Sequence, residues 1–162
     1  MKECQSNQAK SKNPKAWYPK LIICGCGNDE IPTDQVREEG YELWYLGVDR
    51  RDGADRYFEL HGIEGRHPEA TRELPAAVYE QELPINNSIC ALLVYAWLEG
   101  YTDIKIKGSP MIAKSEYIEQ RPALAYVVGY LNGLDIKVNW LDGPKNINYG
   151  RKQNVTGARE IL

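Results

Sequence analysis

The most constraining feature of this chain is a run of four apolar residues, Leu21, Ile22, Ile23 and Cys24, that stops at Gly25. A strand wetted on one face alternates polar and apolar side chains, whereas a short unbroken apolar run bounded by glycine suits a strand covered on both faces. Strands of that kind belong to parallel sheets layered between helices, because a parallel pair cannot be closed by a tight turn and needs a crossover. The sequence supplies crossovers. Ile31 to Glu39, with Pro32 in its first turn and Gly40 as a stop, predicts a short helix. Tyr41 to Leu46 predicts a second strand and Arg56 to Leu60 a third, set apart by the turn at Gly53.

Residues 61 to 84 hold Gly62, Gly65, Pro68, Pro75 and Pro84, too much punctuation for a long element, and read as a crossover loop. Behind Asn86, Asn87 and Ser88, all good N-caps, Ile89 to Leu98 is apolar nearly all round, which predicts a buried helix ended by Gly100. Thr102 to Lys107 alternates Ile104 and Ile106 with Lys105 and Lys107, a half-exposed strand. Glu116 to Leu131 predicts a long helix with Tyr117, Leu124, Val127, Val128 and Leu131 inward, kinked or broken at Pro122 and closed by Asn132 and Gly133. Leu134 to Trp140 predicts the last strand. The alternation implies an α/β, Rossmann-like three-layer fold with a mostly parallel sheet of about five strands.

At 162 residues the chain is sized for one core. Residues 1 to 18, polar and carrying Lys2, Lys10, Lys12 and Lys15, read as a flexible basic arm, residues 19 to 142 as the Rossmann-like domain, and residues 143 to 162 as a C-terminal extension. With 23 acidic against 20 basic side chains the net charge is -3, which excludes the overall positive field of a duplex-wrapping protein. No apolar run approaches the roughly 20 residues of a membrane span, and the first residues lack the apolar core of a signal peptide, so the expectation is a cytoplasmic protein without membrane partners. Cys24 and Cys26 are too close for an ordinary disulfide, and Cys-x-Cys with no second ligand pair does not make a zinc site. Reduced, buried thiols and no metal are expected.

Ligands of such sheets sit outside the carboxyl ends of the strands, where the strand order reverses. Gly25, Cys26 and Gly27 follow the first strand directly, a turn that leaves N–H groups to meet a phosphate or simply ends the strand. Glu30 replaces the third glycine of G-x-G-x-x-G, which argues against a dinucleotide. Asp49, Arg50 and Arg51 follow the second strand, where guanidinium groups bind phosphate bidentately or solvate a charged turn. Glu59 and His61 close the third strand and suit hydrogen bonding to a base or ribose, or acid–base work. Asn86, Asn87 and Ser88 stand at a helix N-terminus that attracts anions. Ser109 in the next loop, with Ser115, Glu116, Tyr117, Gln120 and Arg121 at the start of the long helix, adds hydroxyl, carboxylate, ring and guanidinium groups at the same edge.

Taken in order, several of these stretches resemble a family of small phage-encoded Rossmann-like proteins. They are Gly25-Cys26-Gly27, Tyr41-Glu42-Leu43-Trp44, Asp55-Arg56-Tyr57-Phe58-Glu59-Leu60-His61, Leu98-Glu99-Gly100-Tyr101 and Ser115-Glu116-Tyr117-Ile118-Glu119-Gln120-Arg121-Pro122. The D-R-[WY]-F-E-x-H and S-E-Y-x-x-Q-R-P patterns carry it, and it spans about residues 20 to 140. More distantly, the layout is similar to nucleotide-sugar-dependent sialyltransferases and pterin diphosphokinase-like proteins. Asn28 and Asp29 stand where those proteins have Pro-Ser, and Gly47 where they tend to carry a nucleotide-contacting Asn.

The resemblance implies a nucleotide or nucleotide-derived small-molecule ligand at the carboxyl edge. Without a nucleophile, metal set or triad, the first reading is a phage protein that sequesters a host nucleotide immune signal, an anti-defence sponge in the host bacterial cytoplasm. The alternative is a nucleotide-dependent transferase, of nucleotide-sugar or diphosphate type, or a phosphohydrolase. There His61 or Glu59 would serve as base and Arg121 or Arg51 would steady phosphate charge. The absence of a lid to keep water from a sugar donor weighs against transfer. Self-association as a homo-oligomer is compatible with either reading.

Overall fold

The structure is a computed structural model that describes residues 19–25, 33–47, 52–60, 68–108 and 115–141, with the backbone alone for Gln35 and residues 115–119. At its centre, β1 (Lys20–Cys24) is paired on one side with β2 (Tyr41–Leu46) and on the other with β4 (Asp103–Lys107). Outside these, β3 (Arg56–Phe58) pairs with β2 and β5 (Lys137–Trp140) with β4, every pair parallel, giving the order β3-β2-β1-β4-β5.

The apolar run that opened the sequence reading behaves as its pattern requires. Leu21 and Ile23 are fully buried on one face and Ile22 and Cys24 are 2% exposed on the other. The first face is covered by α2 (Ala76–Tyr79), α3 (Ser88–Leu98) and α4 (Ser115–Gly133), with Trp44, Phe58, Ile104 and Ile106 packed against Leu92, Leu93, Leu124 and Val127. The second carries α1 (Thr33–Glu38), whose Val36 packs with Ile22, Cys24, Tyr41, Leu43 and Tyr45. This is the three-layer α/β fold with an all-parallel sheet of five strands.

Four expectations need correction. α4 continues unbroken through Pro122. That proline is exposed, so the carbonyl it leaves without a donor can turn to water, and the buried Ala123, Leu124, Val127 and Leu131 hold the helix on the sheet regardless. α4 also runs on to Gly133; a turn then passes through Asp135 at φ 62, so β5 begins at Lys137, three residues after Leu134. β3 ends at Phe58, because the Glu59 N–H turns to the Thr71 carbonyl at 3.0 Å and the Thr71 N–H to Tyr57 at 2.8 Å. Finally, the crossover segment contains α2, a single turn that seats Val78 in the core. The N-terminal arm and the C-terminal extension lie outside the described residues.

Candidate functional site

At the carboxyl edge, β1 and β4 leave the sheet side by side. The Gly25 N–H donates to the Lys107 carbonyl at 2.8 Å, continuing the ladder by one rung. That N–H is committed to the sheet, and Cys26 and Gly27 lie outside the described residues. β2 and β3 end together in the same way, with the Gly47 N–H on the Phe58 carbonyl at 3.1 Å. Asp49, Arg50, Arg51, His61 and Ser109 lie outside the described residues.

Glu59 follows β3 and is 2% exposed, the one buried charged residue among those described. Its Oε2 lies 3.4 Å from the guanidinium of Arg72, which is itself about half exposed. Sequence reasoning missed Arg72, because it falls in a segment that reads only as a loop. It also missed Lys107 as a carboxyl-edge cation. Alternation marks this side chain merely as outward, whereas register sets it beside Cys24 at the end of β4.

Asn87 organises the start of α3. Its backbone is extended and its Oδ1 accepts the Cys90 N–H at 2.9 Å, so it is the N-cap of α3. Its Nδ2 lies within donating distance of Asn86 Oδ1 at 3.0 Å, Cys90 Sγ at 3.1 Å and the Gln120 carbonyl at 3.5 Å. The start of α3 is thereby fastened to the second turn of α4, where Gln120 and Arg121 are half-buried. Ser88 is half-buried and Asn86 exposed at the same helix start. Ser115, Glu116 and Tyr117 are in the first turn of α4, but their side chains lie outside the description. Burial pushes the Cys90 thiol up to about 11 against the opposing Asn87 hydrogen bond, so it stays a neutral thiol at neutral pH and is a poor nucleophile.

Three of the quoted stretches place polar residues at the opposite, amino end of the sheet. Glu42 accepts the indole N–H of the fully buried Trp44 at 2.8 Å and the hydroxyl of Tyr101, and Arg56 Nε reaches it at 3.1 Å. Arg56 also meets Glu99 at 3.2 Å and lies over the Trp44 ring at 5.1 Å. Burial opposes the Arg56 charge, but Glu42, Tyr101 and Glu99 outweigh it and raise its pKa. Asp55 accepts the Leu43 N–H at 2.8 Å and an Arg37 N–H at 3.1 Å. Glu42 and Trp44 of β2, Asp55 and Arg56 at the start of β3, and Glu99 and Tyr101 after α3 therefore interlock as a structural brace at the amino end of the sheet.

No protein-family model, curated protein or solved structure matches this chain, so its functional reading rests on the geometry above.

Proposed function

We propose that this chain binds a nucleotide-like small molecule in the crevice at the carboxyl edge of its sheet, and that it acts by holding the ligand. The observation that carries the reading is the position of β1 between β2 and β4: the strand order reverses there, and ligands of open parallel sheets sit at such a reversal. Three further features support it. The chain turns into a Gly-Cys-Gly loop at that point, the α3 N-terminus and the start of α4 are joined beside it through Asn87, and Lys107, Arg72 and Arg121 supply positive charge to the same edge.

Binding is favoured over catalysis because Glu59, the candidate base within the described residues, is buried against Arg72 and has almost no surface to offer a reacting atom. With the resemblance to phage proteins, the biological role proposed is sequestration of a host nucleotide signal used in antiviral defence. Sequestration needs affinity without turnover. Native mass spectrometry of the freshly purified full chain tests this: the expected spectrum carries an added mass in the nucleotide range, and that ligand is released unchanged after long incubation. An added mass that is converted to product on incubation would replace the sponge with an enzyme.

A further inference from the structure

A second surface, away from the crevice, calls for a different explanation. From Pro122 to Gly133, α4 contains no charged residue, in a chain where 27% of residues are charged. Part of that stretch is core: Ala123, Leu124, Val127 and Leu131 are buried. The outward part is not. Tyr126 is 58% exposed and Tyr130 41% exposed, with Gly129 and Gly133 exposed beside them one turn apart. A helix with one wetted face normally carries charges there, and one that is apolar all round is covered all round. Trp97 of α3 meets the Tyr130 ring edge-on at 5.9 Å between centroids, which extends the patch toward α3.

The two glycines have no internal reason to be glycine. Neither has a positive φ, and a Cβ built on either would meet nothing within 4 Å. Glycine inside a helix is nevertheless unfavourable relative to alanine. A small residue whose missing side chain leaves open space on the outside of a helix is explained by another surface that comes close.

We propose that this face is the contact between two copies of the chain, packed helix to helix across a two-fold axis, with Tyr126 and Tyr130 of each copy seated over Gly129 and Gly133 of the other. The occupant is a second copy because the stripe carries both the projecting rings and the notches, as a self-complementary contact requires, and no charge with which to select a foreign partner. Taking roughly 200 Å² for a whole tyrosine, the two rings with Trp97, Pro122 and the exposed Leu134 offer about 400 Å² per copy, the size of patch that monomers seldom leave bare without use. Two copies would bury about 800 Å², below the roughly 1,200 Å² at which stable specific interfaces begin, so the dimer is weak and concentration-dependent. Tyr126, Gly129, Tyr130 and Gly133 lie in the half of α4 away from the carboxyl edge.

Sedimentation velocity of the full chain over a concentration series tests the proposal. The parent is expected to rise from 18.5 kDa toward twice that mass. Tyr126→Glu should stay at the monomer mass with an unchanged thermal midpoint; Tyr130→Glu should also stay at the monomer mass, with a lower midpoint because it loses the ring contact with Trp97. Gly129→Leu should weaken association by filling the notch, while Gly129→Ala, which has room in its own chain, should raise the thermal midpoint of the monomer. A parent that remains at 18.5 kDa throughout, or variants that associate as strongly as the parent, would overturn it.

Discussion

Asn87 Oδ1 lies 2.9 Å from the backbone nitrogen of Cys90 while Asn87 Nδ2 lies 3.5 Å from the carbonyl of Gln120, so one side chain caps α3 and fastens α4 beside it. Replacing it with alanine removes the cap and the tie together and should cost about 1 to 2 kcal/mol of stability. Asn87→Asp keeps the capping acceptor and loses only the donor, so it should cost less. Urea denaturation of both variants separates the roles; an aspartate as damaging as the alanine would show that capping is not what Asn87 contributes.

Glu42 holds three groups at once, and two of them, the Trp44 indole and the Tyr101 hydroxyl, are buried. Glu42→Ala leaves both without an acceptor and should destabilise the chain by about 2 to 4 kcal/mol. Glu42→Gln retains an acceptor and forfeits the attraction to Arg56. That pair is 36% and 24% exposed, so water screens it and the loss should be about 1 kcal/mol or less. Equal losses in the two variants, read from denaturant midpoints, would contradict this account.

The proline within α4 gives a prediction of the opposite sign. Because the helix passes through Pro122 without a break, Pro122→Ala restores one backbone donor in a geometry already present. Stability should rise by about 1 to 3 kcal/mol in thermal unfolding. A fall would mean that the proline sets a local bend on which the start of α4 depends.

Alkaline pH should weaken the fold through groups that burial keeps protonated. The Cys90 thiol has a reference value of 9.0 and is raised to about 11 by burial. Within that window the folded chain keeps a proton that the unfolded chain has released, so stability is full below 9.0 and declines as pH climbs toward about 11. Burial also raises Tyr95 and Tyr101, which carries the decline further. Denaturant midpoints on both sides of pH 9.0 should fall less steeply for Cys90→Ala than for the parent; parallel slopes would remove Cys90 from the explanation.

How much of this was legible depended on whether the cause was local. The run from Leu21 to Cys24 announced a doubly covered strand, and the Asn86–Ser88 triplet with Gly100 bracketed α3 without showing which of the three is the cap, because burial pattern and cap chemistry act within a few residues. The early end of β3 was not legible, since it depends on Thr71, nor was the pairing of Glu59 with Arg72. The break expected at Pro122 does not occur, for the related reason that tertiary packing overrides a local preference. At the site, the edge and the α3 terminus could be read from strand ends. The role of Glu42, Arg56, Glu99 and Tyr101 could not, because Glu42 and Tyr101 are 59 residues apart and meet only when β2 lies beneath α3. Residues quoted only for the resemblance thus brace the amino end of the sheet.

The central claim, a nucleotide-like ligand at the carboxyl edge, is tested most directly by calorimetric titration of the full chain with mononucleotides, cyclic dinucleotides and ADP-ribose derivatives in turn. The account predicts saturable heat with at least one of these classes, much reduced in Arg121→Ala and undiminished in Tyr126→Glu. The absence of heat with every member, or binding indifferent to Arg121→Ala, would contradict it.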